Sequence, residues 1–260
     1  MITFLRKTRK SLVNSGNTKR YLQYGLGEIL LVVIGILIAL QINSWNQNRK
    51  DRIQEQHYLQ NLYEEFQVNL ETLEALVEFH EAQISNADLV LKVLTRDTIV
   101  DDIEKLHTSL LHVGWSPSRN ISKDVWTELI STGNMGLIVN NNLKELISNF
   151  HSSFDYFKEV DQEWSSFNLR YRERIRGVLP PQLHLEVGSA LGFYKVNRSI
   201  NGDLLSQQEI SKNLNSIDNL GGLIGDIIIC RKVGLLVTER IHISIRDILT
   251  LIEKELNKKS

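Results

Sequence analysis

Seven histidines are the side chains of this sequence best suited to metal binding or acid–base chemistry. His151 and Asp155 lie four residues apart and could supply two metal ligands from one helix face. No third ligand can be named, and the histidine spacing matches no zinc signature, so we predict that His151 lies on an exposed helix surface. His80 falls on an apolar stripe and is predicted to be a core histidine with satisfied hydrogen bonds. The full set is His57, His80, His107, His112, His151, His184 and His242.

Other side chains that could do chemistry have simpler interpretations. The single cysteine, Cys230, lies in the apolar run GDIIICRK and is predicted to be a small buried thiol. The acidic pair Glu64 and Glu65 is typical of helix-surface charge. The glycine-rich run GGLIG follows no clear strand, so a phosphate-binding loop is not indicated. The sequence therefore predicts no catalytic residue, no cofactor, no metal site and no enzyme activity.

One glutamate, Glu28, stands alone in a long apolar segment. Between Tyr21 and Asn48 it is the only formally charged side chain, and residues 29–40 read ILLVVIGILIAL. A helix from Leu22 to Trp45 would be about 36 Å long, enough to cross a hydrocarbon core of about 30 Å. The many Leu, Ile and Val residues outweigh the cost of one carboxyl near the helix end. The sequence therefore predicts a transmembrane helix.

Two other interpretations of this segment fit less well. A cleavable signal peptide has a short basic region and small residues at its cleavage site, whereas about twenty residues precede this apolar run and ALQINSW follows it. A buried helix of a soluble protein would have a polar side, and residues 29–40 leave none.

The charges on the two sides of the segment predict its orientation. Residues 1–20 contain six basic side chains and no acidic one, against three basic side chains at Arg49, Lys50 and Arg52. Because Lys and Arg accumulate on the cytoplasmic side, we expect the amino terminus in the cytoplasm and the rest of the chain outside. Tyr24 and Trp45 are predicted to be interfacial anchors.

Helical geometry places Glu28 on a narrow face of the segment. At 100° per residue, five side chains fall within about 40° of one line, and two of them form a small-x-x-x-small pair. Such a face lets a second helix approach closely and gives a carboxyl a hydrogen-bond partner. The alternative is a carboxylate that reaches the cytoplasmic headgroups, with the small residues there by chance. The predicted docking face is Glu28, Gly35, Ala39, Ile42 and Asn46.

The order of basic arm, YGLGEILLVVIGILIALQINSWNQNRK and a charged helix beginning YLQNLYEEF resembles a family of uncharacterised single-pass bacterial membrane proteins. The amino-terminal signature of that family is GEI-LVVIGILIALQIN-WN. The likeness is close over residues 20–66 and looser beyond, as in LISTGNMGLI. The resemblance implies a bacterial inner membrane and a periplasmic body, and it implies no activity.

Beyond the membrane segment, apolar residues recur at steps of three and four, which predicts an all-α protein. The longest stripe, in residues 53–95, continues the membrane helix and includes Val77, His80, Ile84, Leu91 and Leu94. Further helices are predicted at 142–178, ended by Pro180-Pro181, and at 218–256, with Cys230, Val233 and Leu236 facing inward. The predicted domains are a cytoplasmic basic arm at 1–20, a transmembrane anchor at 21–48 and a periplasmic helical bundle at 49–260.

Shorter elements follow from capping signals. Helices are predicted at 101–113 and at 122–132, the second with Ser122 as its N-cap. Residues 182–203 have the weakest helical pattern and are predicted to be a loop with a short strand. The run SQQE, Ser206 to Glu209, predicts a capping box at the start of a further helix.

Charge and architecture together predict a binding role. The net charge of −1 conceals a basic arm on an acidic body, which argues against nucleic acid as a partner. We expect a protein that interacts with membrane lipid and, through its helices, with a second copy of itself or another membrane protein, as a scaffold. The alternative is a periplasmic small-ligand sensor or accessory subunit that acts through a membrane partner.

Overall fold

The computed structural model describes residues 18–116, 120–190 and 204–258, and the side chains of 18–24 and 186–190 lie outside that description. Within these ranges every regular element is a helix, which confirms the predicted all-α class. A single 3₁₀ turn, Asn134–Gly136, joins two of them. The α-helices are α1 (Thr18–Thr95), α2 (Ile103–His112), α3 (Asp124–Ser131), α4 (Asn141–Arg174), α5 (Pro181–Ala190), α6 (Gln207–Asn215) and α7 (Leu220–Leu256).

The chain divides into two compact units, residues 1–57 and residues 58–259. The described part of the first unit is the amino-terminal portion of α1, and the second unit contains the rest of α1 with α2 to α7. The bounds of α1 agree with the prediction that the apolar segment continues into the amphipathic stripe as one helix. Residues 1–17, most of the predicted basic arm, lie outside the described residues, and the bounds of the three predicted domains stay predictions.

Apart from Glu65, the buried residues of α1 in the second unit form one line that advances by steps of three and four. The predicted stripe is confirmed only in part, because five of its members are half buried: Leu70, Val77, Ile84, Leu91 and Leu94. The prediction followed apolar residue types, whereas a line with a 3.5-residue repeat also passes through polar positions. The buried line is Leu59, Leu62, Phe66, Asn69, Leu73, Leu76, His80, Gln83, Ala87, Val90 and Val93.

Two hydrophobic clusters form the interior of the second unit. The first cluster joins the 59–76 part of α1, α3, the 143–157 part of α4 and the 241–252 part of α7. The second cluster joins the 87–93 part of α1, α2, the end of α4, α5, α6 and the 220–227 part of α7. The three long helices therefore contribute to both clusters, and α4 and α7 pack along each other.

Helix starts follow the capping signals at several places. Asp102 accepts a hydrogen bond from the Lys105 amide at 2.9 Å and caps α2. Asn140 caps α4 in the same way, through the Leu143 amide at 3.1 Å. The capping box of Ser206 and Glu209 is confirmed at the start of α6.

The prediction of Ser122 as an N-cap was wrong, because α3 begins after Lys123, which makes no side-chain cap. The carboxylate of Glu65 on α1 accepts from the Val125 amide instead, at 2.9 Å, and from the Ser122 hydroxyl, also at 2.9 Å. Glu65 is therefore not ordinary surface charge: it is buried and satisfies the first turn of a helix that lies far away in sequence.

The chain after α4 also differs from the prediction. Helix α4 ends at Arg174, before Pro180, and Gly177 adopts a left-handed conformation with φ of 89°. Pro181 then starts α5, because proline fits the first turn of a helix. The predicted loop and strand at 182–203 is wrong for residues 182–190, and residues 191–203 lie outside the described part.

The inward side of α7 is more polar than predicted. Arg231, Gly234 and Thr238 are buried there, while Val233 and Leu236 are 41% and 57% exposed. Cys230 is half buried, so the prediction of a core thiol was wrong. Hydrophobicity alone would favour an orientation of α7 with Val233 and Leu236 in the core. The observed orientation instead buries polar residues that lie, along the helix, between the parts of α7 that belong to the two clusters.

Candidate functional site

The amino-terminal part of α1 exposes almost every apolar side chain it carries. Leu31 is 74% exposed and Leu37 57%, and the other Leu, Ile and Val side chains between Leu26 and Ile42 are 45% to 64% exposed. Among the described residues, this is the one helix long and apolar enough to cross a membrane. An apolar surface of this extent is stable only when lipid or other protein covers it.

The predicted docking face lies on this exposed part of the helix. Glu28, Gly35, Ala39 and Ile42 are exposed, and Asn46 is half buried. A Cβ added at Gly35 would meet nothing within 4 Å, so the small-residue groove is open. Of the two predicted anchors, Trp45 is 68% exposed, while the Tyr24 side chain lies outside the described residues.

A layer of polar residues separates the two hydrophobic clusters of the second unit. On α1 the layer contains His80 and Gln83, on α4 Asp161 and Asn168, and on α7 Arg231, Gly234 and Thr238; we call these residues the polar layer. Most of their side chains are fully buried. Because buried polar groups normally have hydrogen-bond partners, each polar side chain in the layer is expected to have one.

Arg231 and Asp161 form the ion pair of this layer, with 2.6 Å between Nη1 and Oδ1. The arginine is 1% exposed and the aspartate 18%, so α4 and α7 share a largely desolvated pair. Replacing one partner would leave the other charge buried, which is strongly unfavourable. This pair explains why α7 turns Arg231 inward.

Gln83 and Asn168 tie the layer to the segment after α2. The Gln83 side-chain amide donates to the Val113 carbonyl at 3.0 Å and also to the Trp115 carbonyl. Asn168 donates to the Ser116 hydroxyl at 2.6 Å. The two Gln83 bonds satisfy backbone carbonyls just after the end of α2, which have no partner within a helix.

His80 differs from the rest of the layer because neither of its ring nitrogens has a hydrogen-bond partner among the described residues, whereas Gln83 and Arg231 each leave one buried atom unpartnered, Oε1 and Nε, and bond through others. It is 0% exposed, so the prediction of a core position is confirmed and that of satisfied hydrogen bonds is wrong. Burial, and then the charge of Arg231, lower the pKa of His80 to about 4, so its ring is neutral at pH 7. An unsatisfied buried group of this kind costs about 1–3 kcal/mol.

Gly234 makes room for this ring. A Cβ at position 234 would lie 2.9 Å from Cε1 of His80 and 3.2 Å from Nε2. Only the absence of a side chain lets α7 approach the histidine so closely. The glycine therefore fixes which side of the imidazole contacts α7.

A cavity of about 230 Å³ lies beside His80. Leu76, Phe154 and Phe157 form its apolar wall, and Asp161 with the hydroxyls of Ser116 and Ser165 adds polar atoms. Longer polar side chains, which are exposed, complete the lining: Asn120, Lys158 and Gln162. The cavity is thus open to solvent on one side, with the unpartnered histidine among its lining residues.

The other histidines do not form such a site. His151 is buried against Phe66, Trp126 and Phe150, so the prediction of an exposed surface position was wrong. The sequence pattern missed this because two of these aromatic side chains come from other helices, Phe66 from α1 and Trp126 from α3. No group of three or more metal-ligating side chains occurs among the described residues.

Two further features of the site were missed from the sequence. Gln83 and Arg231 were not among the residues predicted to face inward, because those predictions followed apolar residue types. The signal that could have found them is periodicity: Gln83 lies seven residues after Leu76, and Arg231 lies four after Ile227, both on the buried line of their helix.

Comparison with known proteins identifies the family and no function. No curated protein and no solved structure matches the chain significantly. The sequence model of one protein family, described as a family of unknown function, matches residues 28–170. That match begins at the glutamate of the GEI signature and covers more than half of the chain. The chain therefore belongs to this family of unknown function, DUF6090.

Proposed function

We propose that this protein is a single-pass protein of the bacterial inner membrane whose periplasmic helical bundle serves protein–protein interaction as a scaffold, without enzymatic activity. The observation that supports it most is the exposed apolar surface of α1 between Leu26 and Ile42. The family match and the all-α fold are compatible with this role and add no activity.

The energetics of the segment support membrane insertion. The thirteen Leu, Ile and Val residues from Leu22 to Ile42 contribute roughly 4–8 kcal/mol in favour of insertion, at about 0.3–0.6 kcal/mol each. Glu28 opposes this by at most about 3.5 kcal/mol, and by less near the headgroups. The basic arm then places the amino terminus in the cytoplasm and the bundle in the periplasm.

The docking face supports a second copy of the chain as the partner within the membrane. Gly35 and Ala39 leave a groove into which an identical helix fits, and the same face carries Glu28. In a symmetric pair the two carboxyl groups meet, and one protonated carboxyl can donate to the other. Each helix thus supplies the hydrogen-bond partner that the other lacks.

The outer side of α7 offers a second surface for self-association, which we call the α7 stripe. Its four apolar side chains are 41% to 62% exposed and follow helical spacing: Ile229, Val233, Leu236 and Ile243. Exposed apolar stripes of this kind mark interaction sites. Asp226, Lys232 and Glu239 supply charges of both signs beside the stripe, and Arg240 lies within it, between Leu236 and Ile243.

The experiment for this proposal is crosslinking of the full chain in native membranes, with variants of the docking face. Gly35→Leu fills the groove and is expected to reduce the crosslinked dimer several-fold. Leu37→Phe adds bulk on the opposite side of the same helix and is expected to leave the dimer unchanged. Equal dimer yields for the two variants would overturn the docking face.

A reporter fused to the carboxyl terminus tests the orientation in the same membranes. Alkaline phosphatase is active only in the periplasm, so we expect an active fusion. A fusion that is inactive as phosphatase, but fluorescent with a reporter that matures in the cytoplasm, would refute the proposed topology.

A further inference from the structure

We propose that the cavity beside His80 is a binding site for a small neutral aromatic molecule with one hydrogen-bonding group, of the size of phenol or indole. This site adds ligand binding to the proposed scaffold and does not depend on it. It lies wholly within the second unit, between α1 and α4, and Ser116 and Asn120 also line it.

The first argument is the unpartnered imidazole. His80 is fully buried, lines the cavity and has no hydrogen-bond partner at either ring nitrogen among the described residues. A neutral imidazole has one donor and one acceptor nitrogen. A ligand hydroxyl or ring N–H can donate to the acceptor nitrogen and satisfy it, which a purely apolar ligand cannot do.

The shape and lining of the cavity favour an aromatic ring. Phe154 and Phe157 present rings and Leu76 presents methyl groups, so most of the wall is apolar. The volume of about 230 Å³ corresponds to roughly eight waters at about 30 Å³ each. A single or fused ring of seven to nine non-hydrogen atoms fits within this space.

The charges around the cavity favour a neutral ligand. Asp161 is paired with Arg231 at 2.6 Å, so this carboxylate and guanidinium already neutralise each other. Lys158 lines the cavity from an exposed position, where water solvates its ammonium group. The neutral His80 adds no charge, and an anion entering the cavity would therefore gain no desolvated cation.

A second buried histidine serves as an internal reference. His151 also has no hydrogen-bond partner at either ring nitrogen among the described residues, but it is enclosed by aromatic side chains and does not line the cavity. Ligand binding at the proposed site should change the environment of His80 and leave that of His151 unchanged.

The test is a titration of the full chain in detergent, labelled with ¹⁵N in its histidine rings, with phenol, indole, toluene and benzoate as probes. We expect phenol and indole to shift the His80 signals in a saturable manner and to leave the His151 signals in place. Toluene, which lacks the hydrogen-bonding group, should bind at least about tenfold more weakly. Tighter binding of benzoate, or no saturable shift at the solubility limit of phenol and indole, would overturn the proposal.

Two serine variants on α4 make the test specific. Ser165 is half buried in the cavity lining, so Ser165→Phe should fill the cavity and weaken phenol binding at least about tenfold. Ser152 is exposed on the same helix and outside the lining, so Ser152→Phe should bind phenol as the wild type does. Equal binding by both folded variants would overturn the site, and a chain that bound phenol without entering membranes would refute only the scaffold.

Discussion

The two parts of α1 use apolar side chains in opposite ways. Between Leu26 and Ile42 the helix exposes them on all sides, whereas from Leu59 to Val93 it buries most of them along one line and leaves few exposed. One continuous helix therefore carries two different surfaces. Apolar residues on all sides of a helix suit a part that is covered all round, as in lipid. Apolar residues along one line suit a part that packs one side against a protein interior.

The largest effect is expected from charged substitutions in the exposed apolar part of α1. The pair Val33→Arg and Leu37→Arg would place two charges in the apolar segment, at about 2.5–3.5 kcal/mol each, and should cancel most of the insertion free energy. We expect the double variant to leave the membrane pellet after alkaline extraction. The matched double variant with Val68→Arg and Tyr156→Arg, at exposed positions of the bundle, should stay in the pellet.

The next largest effect is expected from truncation of a buried side chain in the second part of α1. Phe66 is 0% exposed and packs edge to face against Phe150, with 5.2 Å between ring centroids. Phe66→Ala should lower the free energy of unfolding of the bundle by about 3–5 kcal/mol, measured by chemical denaturation in detergent. Ile34→Ala in the exposed part should leave that free energy unchanged. Equal losses for both would mean that the two parts of α1 do not differ as described.

The polar layer makes the stability of the bundle depend on pH. The folded-state pKa of His80 is about 4, below its ordinary value of 6.5, so the unfolded chain binds a proton more readily. The free energy of unfolding therefore depends little on this group above pH 6.5 and decreases as the pH falls toward 4, by about 2 kcal/mol at pH 5. Burial lowers the pKa of His151 in the same direction. We expect unfolding transitions measured from pH 7 to pH 5 to weaken less in His80→Leu than in the wild type; the same slope in both would contradict the assignment.

Two glycines of α7 test how closely this helix approaches His80 in the polar layer. A Cβ at Gly234 would meet the His80 ring at 2.9 Å, whereas a Cβ at Gly225 would meet nothing within 4 Å. Gly225→Ala should stabilise the bundle by about 0.5–1 kcal/mol through helix propensity. Gly234→Ala gains the same but overpacks the core, and should be about 1–3 kcal/mol less stable than Gly225→Ala. Equal stability of the two variants would refute the close approach.

The smallest effect concerns the α7 stripe. Leu236 is 57% exposed, so Leu236→Lys should change the unfolding free energy by less than about 0.5 kcal/mol. Its expected effect is on association, as a lower yield of crosslinks between bundles of two copies. Unchanged crosslinking would show that the stripe is not an interface.

The sequence was sufficient for most of the helices, but not for α5 or for the polar layer. Helical periodicity predicted α1 as one element, and the capping box at Ser206 marked the start of α6. The rotation of α7 was missed, because Arg231 becomes tolerable inside only next to Asp161, a partner 70 residues away. The cavity was missed for the same reason, since its walls come from segments distant in the chain.

Cysteine labelling in native membranes tests whether α1 crosses a lipid bilayer. In a Cys230→Ser background, single cysteines replace Ile34, Ile38 and Asn48 and are exposed to a water-soluble maleimide. The account predicts that residues 34 and 38 are protected until detergent is added, whereas residue 48 reacts from the periplasmic side. Reaction of all three positions at similar rates in intact membranes would contradict it.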